Sequence, residues 1–449
     1  MANFRLVDRE TSYLLPPSVD EWLPDDHLAR FVVEITDQLD ISAIERQYTG
    51  SGSDAWHRRM LLALLFYSYA TGTFSSRKIE TASFESVPTR YVAGNQHPDH
   101  DTICTFRRRF LEPIGALFTQ ILLVAAEMDM VQLGDVSIDG TKIKANASKH
   151  KAMSWKRACA LEDQLSEEVA ELLAAAEAAD GQAGEGEQLP EELARRQERL
   201  AQIKQAKAMI AQRAEARYEA EQVAHEQKMA DRDEKEQRTG KKTRGPTPNP
   251  PEPGPRGKDQ VNFTDPASRI MPTSNGWQQA WNAQAAVDMD SHLIVGGRLS
   301  QAPNDKQQLQ PALDTIDALP DSIGQAENIT ADNGYYSEDN VKEATDRELT
   351  PYIATGRRKH NPRWDERRAD PGPPPDDPTP VEAMAWRLQT PEGKDFYGRR
   401  KATVETVFGI IKQVMGFRQF LLRGLEKAAG EWNLVQCGYN LKRMHALEG

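Results

Sequence analysis

Three carboxylates in this chain stand where folding could bring them together. Asp139 ends a predicted strand in which Val136 and Ile138 alternate with polar residues. Asp332 ends the stretch ENITAD before an Asn-Gly turn, and open α/β sheets tend to place their chemistry at such strand ends. Glu405 lies beside an apolar helical stripe, at the edge of a face that is predicted to be buried.

Two aspartates and one glutamate from separate elements form a set of hard oxygen ligands that suits Mg²⁺, or Mn²⁺ in its place. A pair of such ions can hold both the attacking and the leaving oxygen of a phosphodiester. Spacing alone leaves the second position open, because an aspartate after a strand is commonly an ordinary turn residue. Four other aspartates pass the same test: Asp265, Asp288, Asp290 and Asp305.

Basic residues near these acids are expected to hold a DNA backbone, since phosphates require charge rather than sequence reading. The predicted DNA contacts are Arg107, Arg108 and Arg109 in the N-terminal part, Lys142 and Lys144 after the first acid, and Arg400, Lys401, Lys412, Arg418 and Arg423 around the third. For most of these cations the alternative is a solvated charged face.

The distribution of charge along the chain supports that interpretation better than its sum. The 449 residues carry a net charge of −12, which by itself disfavours nucleic acid as a partner. Between Trp155 and Arg238, however, 20 acidic residues face 13 basic ones, so this segment holds a net of −7. Between Arg399 and Lys427, seven basic residues stand against two acidic ones. A basic tract therefore surrounds the third acid.

Other classes of protein are disfavoured by composition. No apolar run is long enough to span a membrane and the first residues lack a signal-peptide pattern, so a cytoplasmic, nucleoid-associated protein is expected. The three cysteines are scattered, which predicts neither a disulfide framework nor a zinc site.

The elements that must position the acids follow a consistent order. Residues 1–130 are predicted to form a helical DNA-binding domain with a helix-turn-helix outline that ends in DTICTFRRRF. Residues 131–449 are predicted to form an α/β domain with a mixed sheet, in which a strand hairpin precedes alternating helices and strands. An insertion at residues 155–259 interrupts the sheet with an antiparallel helical hairpin and a linker rich in Pro and Gly.

Five motifs in order resemble the DDE transposases of bacterial insertion sequences, a family whose catalytic domain has a ribonuclease H-like fold. PDHDTICTFRRRF resembles its helical DNA-binding domain, and SIDGTKIKANAS is similar to its first-Asp motif. TDPASRIM with WNAQAAVD resembles the next strands, ITADNGYYS the second-Asp motif, and RRKATVETVFGIIKQVMGFRQF the start of the Glu motif. The resemblance spans nearly the whole chain.

The resemblance implies that Asp139, Asp332 and Glu405 bind the metal. A water molecule would then attack a phosphodiester at the element end, and the freed 3′-hydroxyl would attack target DNA. Holding two ends together implies a dimer or a larger complex on double-stranded DNA. Many relatives carry a Tyr-x2-Arg-x3-Glu-x6-Lys signature; here Lys412 keeps the last spacing and Lys401 takes the Arg place. Two alternatives stay open: a nuclease of the same fold, and an inactive or domesticated DNA-binding protein.

Overall fold

A computed structural model gives the structure of this chain and describes residues 18–47, 56–179, 189–240, 242–243, 245–356 and 371–449. The chain divides into two compact units. The first comprises the described residues of Met1–Asn146, Met271–Gly276 and Ala280–Gly449, and the second comprises those of Ala147–Ile270 and Trp277–Gln279. The predicted insertion is therefore a unit of its own.

The described part of the chain contains long helices and mostly short strands. The helices are α1 Leu28–Gln38, α2 Ser42–Glu45, α3 Arg58–Ala70, α4 Ser76–Glu85, α5 Val87–Val92, α6 His100–Arg109, α7 Leu111–Glu127, α8 Trp155–Ala179, α9 Leu189–Thr239, α10 Leu309–Asp317, α11 Glu338–Asp346, α12 Pro380–Arg387, α13 Pro391–Ala402, α14 Val404–Gly409 and α15 Leu425–Glu448. The strands are β1 Leu133–Lys144, β2 Ala152–Ser154, β3 Gln260–Asn262, β4 Arg269–Thr273, β5 Gly276–Asp288, β6 Ile294–Ser300, β7 Gly324–Ala331 and β8 Thr350–Ile353. This is a mixed α/β architecture, as predicted.

The main sheet is built around β1. Its strand order is β4-β5-β1-β7-β8, and β6 also pairs with β5. β5 runs antiparallel to β1 and to β6, which confirms the predicted hairpin, whereas β7 is parallel to β1 and β8 is parallel to β7. β1 continues to Lys144 along β5, so the expectation that the first strand ends at Asp139 is wrong. What ends there is the pairing with β7, whose last pair is Ile138 with Ala331.

The C-terminal helix α15 joins the N-terminal helices to this sheet. Its central residues, from Gly430 to Leu441, are buried on nearly all sides, and they include the polar residues Glu431, Gln436 and Asn440. The side-chain amide of Asn440 pairs with both backbone groups of Ile294 in β6, at 2.8 and 2.9 Å. Gly438 lies against α3, where a Cβ would meet the backbone nitrogen of Ala70 at 2.9 Å. The described residues on both sides of position 130 therefore belong to the same compact unit.

The second unit contains a hairpin of the two long helices α8 and α9 together with the short strands β2 and β3. α8 and α9 pack through an apolar cluster of buried residues that includes Met153, Leu165 and Ile203. The stretch predicted as a linker lies along α9, because its carbonyl groups accept hydrogen bonds from α9 arginines. Arg217 donates to Gly254 at 2.9 Å, and Arg232 donates to Thr243 at 3.1 Å. A chain poor in backbone donors can thus be fixed through its acceptors.

A helix that spans a membrane must be both long and apolar. Within the described ranges, no single helix is long and apolar enough to cross a membrane. One bent pair, His100–Arg109 with Leu111–Glu127 at 74°, passes that test when the two helices are taken together.

Candidate catalytic carboxylate site

The first two acids are placed side by side by the register of the sheet. Ile138 pairs with Ala331 across the parallel strands β1 and β7, and the next residue on each strand is Asp139 and Asp332. Neighbouring strands lie about 4.8 Å apart, so two carboxylates at matching positions share one sheet edge. Asp332 leaves the strand as the cap of a short 3₁₀ turn and accepts a hydrogen bond from the Gly334 amide at 2.7 Å.

Arg400 links the first acid to the third. Its guanidinium donates from Nη1 to Asp139 Oδ2 at 3.0 Å and from Nη2 to Glu405 Oε1 at 2.9 Å. The Arg400 side chain is 10% exposed and that of Asp139 is 17% exposed, whereas Glu405 remains 47% exposed. One planar cation thus holds two carboxylates that come from distant parts of the sequence.

The helix that carries Glu405 is not continuous with the helix that carries Arg400. Thr403 lies between α13 and α14 with φ −94° and ψ −95°, outside the helical region. This break invalidates the expected four-residue helical relation between Lys401 and Glu405. Lys401 is exposed, and the neighbouring Arg400 makes the contacts with the acids instead.

The break also changes how the chain fits the Tyr-Arg-Glu-Lys signature. Tyr397 and Arg400 keep the Tyr-x2-Arg spacing, and the Arg400 guanidinium carbon lies 5.9 Å from the Tyr397 ring centroid. Four residues rather than three then separate Arg400 from Glu405. Thr403 accommodates the extra residue where the helix is interrupted. Counting back from Glu405, the signature places its tyrosine at Gly398, one residue after Tyr397. The geometry therefore moves the arginine position from Lys401 to Arg400, and the tyrosine position from Gly398 to Tyr397.

Asp305 is a fourth acid at the same edge. Its Oδ1 accepts hydrogen bonds from Asn282 at 2.6 Å and Gln284 at 2.8 Å, and lies 3.4 Å from Lys142 Nζ. Gly140 makes room for it, because a Cβ there would lie 2.6 Å from the same carboxylate oxygen. Asp305 was one of the competing aspartates, but its network was not predicted.

One sequence signal for this network existed. Asn282 and Gln284 lie two residues apart on one face of β5, and both side chains are buried. Buried amides require partners, so their spacing points to a polar group beside that face. Tyr335 follows Asp332 by three residues and is fully buried. It completes the network by donating its hydroxyl hydrogen to the Gln284 side-chain oxygen.

The pKa values of Asp139 and Lys412 reflect how close the charged groups of the site are to one another. Burial raises the pKa of Asp139 to about 6, against the lowering effect of the Arg400 charge, while the negative charges of Asp332 and Asp305 raise it further. Burial lowers the pKa of Lys412, and the charge of Asp139 opposes that change. The Lys412 ammonium donates to the Thr141 hydroxyl on β1. The first acid is thus surrounded by both negative and positive groups.

The remaining competitors for the second position lie elsewhere. Asp288 pairs in register with Val136, toward the other end of β1, and accepts hydrogen bonds from the Ser291 amide and hydroxyl at 2.7 and 2.6 Å. Asp290 is exposed and ion-paired with Arg399 at 2.5 Å. Asp265 is a buried residue of the second unit. Asp332 and Asp305 therefore remain the candidates beside Asp139.

Two of the residues predicted to contact DNA, Arg107 and Arg400, are buried, so the prediction is wrong for them. Arg107 is 4% exposed, and its Nη1 donates to the Tyr69 hydroxyl at 3.1 Å and to the Phe74 carbonyl at 2.8 Å. It points inward because its face of α6 packs on α3. Arg400 is likewise engaged by the acids. Both arginines serve the interior rather than a surface.

The other predicted contacts differ in accessibility. Lys142 pairs with Asp305, and Lys412 is partly buried beside Thr141. The exposed cations among the predictions are Arg108, Arg109, Lys144, Lys401, Arg418 and Arg423. Of these, Arg423 donates to the Asn146 carbonyl at 3.0 Å, so it also ties the C-terminal segment to the end of β1.

The donor chemistry of the site fits a divalent cation. Burial is the main cause of the raised pKa of Asp139 and the neighbouring acids add to it, so added positive charge would stabilise its carboxylate form. In the structure Arg400 supplies that charge between Asp139 and Glu405. Within the described residues, no three His, Cys, Asp or Glu side chains are placed closely enough to hold a metal ion together. The ligand types fit, and a guanidinium lies between two of them.

Two family models match this chain. Residues 17–109 match a transposase domain, DUF772, and residues 378–445 match a transposase DDE domain. The second match includes Arg400, Glu405 and Lys412. No curated protein and no solved structure matches the chain significantly. The family matches confirm the resemblance to the DDE transposases of insertion sequences.

Proposed function

We propose that this chain, a DDE transposase of the insertion-sequence type, cuts DNA at the ends of its element and joins them to target DNA. The observation that carries the proposal is the register of β1 and β7, which puts Asp139 and Asp332 at adjacent strand positions. Arg400 connects Glu405 to Asp139, the first member of that pair. Three acids distant in sequence thus belong to one polar cluster.

Asp139, Asp332 and Glu405 would hold a divalent cation, with Mg²⁺ or Mn²⁺ suited to their oxygen ligands. When bound, the cation would supply positive charge to the attacking and leaving oxygens of the phosphodiester. Lys412, fixed by Thr141 beside the first acid, is positioned to contact the scissile phosphate. Asp305 keeps Lys142, Asn282 and Gln284 in place, so it is a positioning residue in this account.

The proposal includes a ribonuclease H-like fold for the sheet. The antiparallel hairpin β5–β6 on one side of β1 and the parallel pair β7–β8 on the other support it, since they leave the acids at one edge. DNA is the proposed partner, bound through the exposed cations of α6 and of the segment from Arg418 to Arg423. Two element ends must be joined in one event, so a homodimer or larger assembly on DNA is part of the proposal.

A strand-transfer assay with pre-cut duplex ends tests this function, using terminal repeats read from the DNA that flanks the coding region. The wild-type chain should give joined product with Mg²⁺, and Asp139→Asn should give none. Asp290→Asn is the matched control, because Asp290 is an exposed aspartate outside the cluster, and it should join DNA like the wild type. Cleavage without joining would favour a nuclease. Indifference of every DNA activity to Asp139→Asn would favour a binding protein.

A further inference from the structure

The inserted unit contains a basic recess that the carboxylate site does not use. It has a volume of about 280 Å³. Four basic side chains and one aromatic ring line it: His150, Lys151, Arg157, Arg199 and Phe263. No acidic side chain is among the described residues of its lining. The residues from Trp155 to Arg238, which form most of this unit, carry a net charge of −7. A recess lined by positive charge alone therefore requires an explanation.

The recess is built by three elements of the unit. Arg157 comes from the first turn of α8 and Arg199 from α9, so each arm of the hairpin contributes one guanidinium. Lys151 and Phe263 are joined through the β2–β3 ladder, where the Phe263 amide donates to the Lys151 carbonyl at 3.0 Å. Buried Met153 and Ile203 line the recess beneath these groups. Its shape is therefore fixed by packing.

The two arginines of the recess differ from nearby arginines of α9 in whether an acidic side chain pairs with them. On α9, Arg195 and Arg196 both pair with Glu192, at 3.7 and 2.9 Å. In the part of the chain that the structure describes, Arg157 and Arg199 form no such ion pair, and both are exposed. Their charges are available to a ligand, while those one turn earlier are already neutralised.

Phe263 limits the class of ligand. It is 42% exposed although it is a large apolar side chain, and it stands beside the cations rather than in the core. An aromatic face next to positive charges is suited to a nucleotide unit, with the base stacked on the ring and the phosphate held by the cations. A duplex hides its base faces, so an unpaired segment fits this arrangement better. Cations from three elements also match several phosphates of a strand better than one free nucleotide.

We propose that this recess binds single-stranded or unpaired DNA, with backbone phosphates on Arg157, Arg199 and Lys151 and a base against Phe263. This site is separate from the carboxylates and does not depend on cleavage or joining. In a transposase it would hold the unpaired DNA that exists around a cut end. The insertion would therefore be a DNA-binding unit despite its acidic composition.

Fluorescence anisotropy with the full-length chain tests the proposal, using labelled oligo(dT) and a blunt duplex of equal length. Arg157→Ala/Arg199→Ala should weaken oligo(dT) binding at least fivefold. The slope of log K against log salt should become shallower by about 1.4, because each single-strand phosphate contact contributes about 0.7. Phe263→Ala should weaken oligo(dT) binding about fivefold or more without changing the slope. Because the three side chains are exposed, the melting temperature should not change.

Arg195→Ala is the matched control, since Arg195 is an exposed arginine of the same helix that is paired with Glu192. It should bind both DNAs like the wild type, and excess ATP should not displace oligo(dT). The proposal is overturned if the double variant binds oligo(dT) like Arg195→Ala. It is also overturned if Phe263→Ala has no effect and duplex binding falls as much as single-strand binding, or if ATP competes at micromolar concentration. The Asp139→Asn variant tests the carboxylate site alone. It should bind oligo(dT) in the recess like the wild type, so the two proposals can fail independently.

Discussion

Charged residues are used in opposite ways in the two units of this protein. In the first unit, buried charges link elements that are far apart in sequence: Arg400 contacts Asp139, 261 residues away. In the inserted hairpin, partly exposed charges pair along a helix, as Arg196 does with Glu192, or between its two arms, as Lys207 does with Glu162. A buried charge that loses its partner costs several kcal/mol, while an exposed pair contributes about 0–1 kcal/mol. The first kind therefore fixes a site, and the second adds little to stability.

The largest effect on stability is expected at Arg107. It lies in a buried network with Tyr69 and Glu431, and burial raises the pKa of Glu431. Arg107→Ala would leave this acid without its cation, so the free energy of unfolding should fall by about 3–5 kcal/mol. Arg108→Ala, one residue later and exposed, should change it by less than about 0.5 kcal/mol. Urea unfolding of both variants measures the contrast, and equal losses would contradict it.

The pH dependence of stability should reveal the buried acid. The folded pKa of Asp139 is about 6, above its usual value of 3.8, so the folded state binds more protons than the unfolded state between these limits. Stability from this group is therefore present below about pH 4 and is lost as the pH rises through about 6, by on the order of 2–3 kcal/mol. Asp139→Asn should flatten this part of the profile in metal-free buffer. A parallel profile for the variant would be the contrary result.

A smaller loss is expected at Arg400, because Glu405 is half exposed and water can replace part of its contact. Arg400→Ala should lower the free energy of unfolding by about 1–3 kcal/mol. Mg²⁺ should recover more of that loss in the variant than it adds to the wild type, because the cation can bind where the guanidinium was. Lys401→Ala, the exposed neighbour, should show neither effect in thermal unfolding with and without Mg²⁺.

The smallest effect is expected in the hairpin. Lys207 pairs with Glu162 across α8 and α9 at 2.5 Å, with both side chains partly exposed. Lys207→Ala should cost about 0.5–1 kcal/mol, and 1 M NaCl should remove most of the difference. A salt-independent loss as large as that of Arg107→Ala would show that the two units do not differ in the way described.

The sequence predicted elements and motifs better than it predicted partners. The β5–β6 hairpin, the strands β7 and β8 and the helical hairpin follow from local periodicity, so they were predictable. The pairing of Ile138 with Ala331 was not, because register depends on packing across the sheet. Arg107 and Arg108 are adjacent residues of the same type, so the sequence does not distinguish them. The packing of α6 decides which of the two is buried. Predicting the arginine position at Lys401 failed because the break at Thr403 leaves no mark in a spacing count.

We propose that Asp139, Asp332 and Glu405 together bind a divalent cation, and a Mn²⁺ titration of the full-length chain tests this binding most directly. Calorimetry or electron paramagnetic resonance would give the affinity without any need for activity. Asp139→Asn and Asp332→Asn should each weaken Mn²⁺ binding at least tenfold, while Asp290→Asn should bind it like the wild type. Unchanged affinity in Asp139→Asn or Asp332→Asn would contradict the account.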